Sequence, residues 1–149
     1  MAHLMRTLAA AAAAVTVVSG TAGIATAQTL SPDHTAAVSC IGTSFSGTLG
    51  VNKALCNSGY RLTMQDNGDL VLRRSNGSAC YASGTRAPGD ASATFVQDYV
   101  APPHVNIEST SQGNLGTIWG ANRLPHVGTN ANLNSKGEFW IGYKKIGYC

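Results

Sequence analysis

The residues of this chain best suited to chemistry lie between Leu62 and Arg74, in the stretch LTMQDNGDLVLRR. Gln65, Asn67, Asp69, Val71 and Arg73 stand at alternate positions. Gln and Asn side chains both donate and accept hydrogen bonds, Asp accepts, and Arg donates. A polyol such as a hexose needs several such groups at fixed separations, with one small apolar contact for its C–H surface. Val71 offers that contact. Strands would hold the groups rigidly, at a shallow site.

Placing them requires a hairpin. The central Asn67-Gly68 is a strong short-range turn signal, because both residues tolerate positive φ. Before it, Tyr60, Leu62 and Met64 alternate with Arg61, Thr63 and Gln65. After it, Leu70 and Leu72 alternate with Asp69, Val71 and Arg73. Alternate residues of a strand share a face. One face is therefore apolar and inward, and the other carries the five polyol-type positions.

The rest of the chain has the same grain. Short apolar pieces such as ATFVQ, HVNIE, GTIWG and EFWIGY recur between Gly-, Ser- and Asn-rich turns, with no sustained 3.6-residue stripe. This predicts an all-β domain of many short strands over residues 40–149. Residues 28–39 are polar and small and read as a flexible leader. Residues 1–27 read as a cleaved signal peptide: Arg6, an Ala-rich apolar run, and an A-x-A site at Ala25–Ala27. No later stretch is apolar enough to span a membrane, so the mature chain is expected to be secreted. Cys40, Cys56, Cys80 and Cys149 would then form two disulfides, with three pairings open.

Other classes fit poorly. The net charge is +3, only 11% of residues are charged, and Arg73–Arg74 and Lys144–Lys145 are pairs rather than a basic run. Nucleic-acid binding is not predicted. No Cys pair has C-x-x-C spacing and no His lies near a Cys in sequence, so neither a metal nor another cofactor is expected. Glycoside hydrolysis needs two carboxylates flanking a bond, whereas Asp66 and Asp69 share one small hairpin. There is no G-x-S-x-G, and His104 and His126 adjoin prolines as turn residues. The chain reads as a binding protein, not an enzyme.

The hairpin recurs. Met64-Gln65-Asp66 matches Val96-Gln97-Asp98, and Asp69 to Arg73 matches His104 to Glu108 across a longer loop. CYASGT matches IWGANR, which makes Tyr81 and Trp119 equivalent and places both on a common axis. In a third copy Leu133-Asn134 matches Met64-Gln65, and Glu138 to Ile141 matches Asp69 to Leu72. One hairpin with a trailing strand cannot bury its apolar face alone, but three can share a core. The expectation is three small antiparallel sheets about a pseudo-threefold axis. Asn76 opens an N-glycosylation triplet, NGS, in a turn. Lys136 and Glu138 are expected to form a surface ion pair.

Residues 49–85 resemble the bulb-type mannose-binding lectins. Their sugar motif reads Q-x-D-x-N-x-V-x-Y, once per repeat. Gln65 and Val71 match it, Asn67 and Asp69 are exchanged in kind, and Arg73 stands in place of Tyr. The second copy keeps Gln97, followed by Tyr99, His104, Asn106 and Glu108. The third reads Asn134, Lys136, Glu138, Trp140 and Gly142. The resemblance implies a β-prism and a glycan partner of mannose type; its members often pair by exchanging C-terminal strands, so a homodimer is possible, although a Cys40–Cys149 bond within one chain would restrict that exchange. The resemblance also implies a Cys56–Cys80 bond, leaving Cys40 for Cys149. The alternative is a degenerate lectin fold that serves as a cell-surface or protein-interaction module.

Overall fold

A computed structural model describes residues 37–87 and 89–149. The expected signal peptide, and residues 28–36 of the expected leader, lie outside the described residues. In chain order the strands are β1 (Ser39–Gly42), β2 (Ser44–Phe45), β3 (Thr48–Leu49), β4 (Lys53–Asn57), β5 (Tyr60–Met64), β6 (Leu70–Arg74), β7 (Ala79–Ala82), β8 (Ala91–Val96), β9 (His104–Ser109), β10 (Gly113–Trp119), β11 (Ala131–Leu133), β12 (Glu138–Ile141) and β13 (Lys144–Tyr148). Among the described residues there is no helix.

The strands form three sheets, in the orders β1-β4-β5-β6-β7, β10-β9-β8-β3 and β13-β12-β11-β2. Each sheet holds one of the expected hairpins (β5–β6, β8–β9, β11–β12), its trailing strand (β7, β10, β13) and a strand from residues 44–57. Period-2 alternation decides which side chains turn inward. Leu62, Met64, Leu70 and Leu72 from the first sheet, Val105 and Ile107 from the second, and Leu133, Phe139 and Ile141 from the third are at most 1% exposed and join one core. Burying each such side chain contributes about 1.5–3 kcal/mol. No single sheet of this size could cover its own apolar face. One pairing departs from the antiparallel expectation: β1 runs parallel to β4, with Cys40 opposite Ala54.

The turns differ in detail from the two-residue Asn-Gly form. Gln65 N–H donates to Asp69 O at 2.9 Å and Gly68 N–H to Gln65 O at 3.2 Å. The loop is therefore three residues, Asp66 to Gly68, and only Gly68 has positive φ (81°). The β11–β12 turn repeats this, with Asn134 bonded to Glu138 and Gly137 at φ 73°. A type I turn followed by one left-handed residue suits a three-residue hairpin. Two adjacent positive φ values occur instead at Ser58 (46°) and Gly59 (83°), between β4 and β5.

The disulfides are Cys40–Cys56 and Cys80–Cys149, with Cα–Cα distances of 5.7 and 5.0 Å. The Cys56–Cys80 and Cys40–Cys149 pairings implied by the resemblance are thus corrected. The reason is strand order. Cys56 on β4 and Cys80 on β7 are separated by β5 and β6, and three strand spacings amount to about 14 Å. A disulfide needs Cα atoms within about 7 Å. Cys40 lies on β1, hydrogen-bonded beside β4, while Cys149 directly follows β13, whose Gly147 lies under the Tyr81 ring of β7.

The repeat alignment is also corrected at Trp119. Tyr81 stands opposite Leu72, but the residue opposite Ile107 is Gly116, just after a bulge at Leu115. Trp119 falls three residues further on, opposite His104. Tyr81 does turn toward the core, 5.8 Å from the Phe139 ring centroid. Trp119 is 49% exposed and fills no axis.

Peptide mapping under non-reducing conditions should recover Cys40 linked to Cys56 and Cys80 linked to Cys149. The second bond closes the longer loop, 69 residues against 16, so its entropic contribution is roughly 4 kcal/mol against roughly 3. A Cβ on Gly147 would lie 2.8 Å from Tyr81 Cβ, Cγ and Cδ2. Gly147→Ala should destabilise the protein by about 1–3 kcal/mol in urea unfolding.

Candidate functional site

The five motif positions of the first hairpin do not share one environment. Asn67 is exposed, and its Oδ1 accepts the Asp69 N–H at 3.1 Å, bracing the turn. Asp69 is 8% exposed, and its Oδ1 accepts Ser83 Oγ–H at 2.7 Å and the Gly84 N–H at 2.9 Å. Val71 is 3% exposed and offers almost no surface to a solute. The segment after β7 folds back over the hairpin tip: Thr85 Oγ1–H donates to Gly68 O, Ala87 N–H to Asn67 O, and Gly89 N–H to Asp66 O. A Cβ at Gly68 would meet the Ala87 nitrogen, so this closure needs glycine there.

Gln65 and Arg73 remain together. They line a cavity of about 270 Å³ with Val38, Asn52, Arg61, Thr63 and Asp66. Arg61 and Thr63 are reached by the same alternation that selects Gln65, a signal present in the sequence. Val38 and Asn52 come from the chain before β1 and from the turn before β4, and no local pattern marks them. Arg61 stands directly opposite Arg73 in the β5–β6 register. On their other side both arginines also line a cavity of about 480 Å³, with the Cys40–Cys56 bond, Tyr60, Arg74 and the turn residues Ser58, Gly59 and Gly77. Arg73 Nη1–H donates to Gly77 O at 2.9 Å, and Arg74 donates to Cys149 O.

The other two hairpins close on their own groups. In the third, Glu138 Oε2 accepts Asn134 Nδ2–H at 2.7 Å and Trp140 Nε1–H at 3.2 Å, while Oε1 accepts Lys145 Nζ–H at 3.0 Å. Lys145, not the expected Lys136, is the ion-pair partner. It reaches across from β13 and lies over the Trp140 and Tyr148 rings. In the second, Asn106 Oδ1 accepts Thr117 Oγ1–H at 2.8 Å, and the His104 ring packs against Trp119 with centroids 4.5 Å apart and planes tilted by 43°. Asn76 of the NGS triplet is exposed in the β6–β7 turn.

Hydrogen bonding sets the charge states of three half-buried acids. Asn134 first, then Lys145, holds the Glu138 carboxyl down at about 2. The Asp90 carboxyl is lowered chiefly by Ser109, and that of Asp98 by the Ala101 and Val100 N–H groups. Burial, with help from the Asp69 charge, pushes the Tyr81 hydroxyl up to about 12. Among the described residues, no three His, Cys, Asp or Glu side chains converge to hold a metal ion, and no helix is long and apolar enough to cross a membrane. No protein-family model matches the chain, and no curated protein matches it.

A carboxyl depressed by folding contributes stability above its unfolded value and loses it as pH falls through the folded value. For Glu138 that window runs from 4.5 down to about 2. The urea midpoint should fall across this range, and Glu138→Gln should flatten the fall. A Glu138→Gln profile as steep as that of the parent would show that this network does not carry the acid sensitivity.

Proposed function

We propose that the chain is an exported carbohydrate-binding protein of bulb-type lectin kind, without catalytic activity. In this reading the three sheets are the faces of a β-prism with pseudo-threefold symmetry, and a glycan of mannose or related type sits on the first hairpin. The observation that carries the reading is the open cavity beside Gln65 and Arg73, walled by hydrogen-bonding side chains on paired strands. Its donors and acceptors, Gln65, Thr63, Asn52 and the arginines, suit sugar hydroxyls. At about 270 Å³ it is close to the small end of ligand pockets, which fits one sugar unit and weak binding. Two disulfides in a small domain accord with export to an oxidising compartment.

A second reading has its own support. Asn67, Asp69 and Val71 are engaged within the fold, and Tyr99, Val100, Trp119 and Leu124 are large and exposed. A degenerate lectin fold acting as a protein-interaction module would look like this as well.

A glycan array probed with the mature, disulfide-bonded protein separates the two. The lectin reading expects retention on a subset of glycans, lowered at least tenfold by Gln65→Ala with the thermal midpoint unchanged. Absence of retention on every glycan, together with capture of a specific protein partner, would establish the interaction module instead.

A further inference from the structure

We propose that the ligand of the first hairpin is an anionic saccharide, whose carboxylate or sulfate group is held by Arg61 and Arg73. This rests on the carbohydrate-binding reading and names the ligand class of that same site.

The register supplies the first reason. Arg61 and Arg73 face each other directly across β5 and β6. Like charges so placed repel and cost stability. Surrounding acids do not relieve it. Among the described residues the salt bridge formed is Lys145–Glu138, far from this hairpin in the chain. Asp69 is buried and bonded to Ser83 and Gly84, and Asp66 lines the smaller cavity without forming an ion pair with either arginine.

The second reason is where the charge lies. Residues 37–87 carry five Lys or Arg (Lys53, Arg61, Arg73, Arg74, Arg86) against two Asp. Residues 88–149 carry four of each sign, and residues 1–36 one of each. The whole net charge of +3 therefore belongs to residues 37–87, and three of those five cations, Arg61, Arg73 and Arg74, line the two cavities. Charge gathered beside a concave surface raises the local concentration of anions.

The third is geometry. Arg61 and Arg73 are shared by both cavities and form the ridge between them. The bond from Arg73 to Gly77 O fixes one guanidinium while leaving its other N–H groups to donate. A planar guanidinium matches a carboxylate or sulfate through two parallel hydrogen bonds. Gln65, Thr63 and Asn52 stand on the smaller-cavity side, placed for the hydroxyls of the same sugar. A nucleic acid would need an extended basic track with stacking aromatics, which neither cavity provides.

Binding of the intact, oxidised protein should be measured by calorimetry against four probes: oligogalacturonate, heparin-derived oligosaccharide, neutral mannan oligosaccharide and polyglutamate. We expect binding to at least one of the first two that is at least tenfold stronger than to mannan; because heparin carries carboxylates as well as sulfates, binding to oligogalacturonate marks the carboxylate as the group recognised, and binding to heparin alone marks the sulfate. That binding should weaken as salt is raised, fall at least tenfold in Arg61→Gln, and be lost in Arg61→Gln/Arg73→Gln. Lys144→Gln removes the same charge from a different sheet and should leave it unchanged. The thermal midpoint of Arg61→Gln should equal or exceed that of the parent, because the substitution relieves repulsion. Equal affinity for mannan and the anionic sugars, equal affinity for polyglutamate, or an equal effect of Lys144→Gln would overturn the proposal. Mannan binding alone would leave the carbohydrate reading standing, whereas no binding to any saccharide would remove both.

Discussion

Three sheets, each with one apolar face and too few strands to cover it, have to share a single core. Most of the architecture follows from that constraint. Leu62, Leu72, Ile107, Phe139 and Ile141 reach the same interior from three different sheets. Where the sheets meet, one side must be thin. Tyr81 from β7 and Tyr60 from β5 lie where a Cβ on Gly147 or Gly137 would stand, within 2.8 Å or less of ring atoms. The Cys80–Cys149 bond then secures the seam that these glycines make possible. Asn57 Nδ2–H adds a hydrogen bond to Leu133 O across the same pair of sheets.

With inward faces committed to the core, any function must reside on the outward faces, and these have diverged. The third hairpin spends its polar groups on one carboxylate: Asn134, Trp140 and Lys145 all donate to Glu138. The second hairpin packs His104 against Trp119 on its face. The tip of the first is closed by the chain after β7. Only its base stays open, where Arg61 and Arg73 stand side by side. Two like charges held together on a strand pair cost stability, whereas the Glu138 cluster is balanced within itself. That contrast in local charge balance sets the first face apart from the other two.

The two disulfides belong to the same economy of a small core. One joins β1 to β4 and shapes the floor of the larger cavity. The other fixes the last residue of the chain to the first sheet. Strand order brings Cys40 beside Cys56, and the packing of β13 against β7 brings Cys149 beside Cys80; each bond removes entropy from the unfolded chain.

The sequence by itself determined the element type and the inward set. Alternation is local, so the inward facing of Leu62 and Leu72, and the burial of Val105, Ile107, Phe139 and Ile141, could be read from spacing alone, whereas the direct pairing of Leu62 with Leu72 was set by the three-residue turn. So could the three hairpins with their trailing strands, because each is a short-range object. Disulfide partners and the accessibility of the motif residues were decided by the tertiary structure. Cys56 and Cys80 look adjacent along the chain, yet two strands lie between them, and strand order is not written in spacing. Trp119 reads as an axial residue until the bulge at Leu115 shifts the register by which residues face each other. Asp69 and Val71 read as outward, but both are buried, Asp69 beneath the segment that returns after β7, and Val38 and Asn52 reach the cavity from sequence far from Gln65. Those outcomes depend on which segments meet in space, and no periodicity within one segment carries that information.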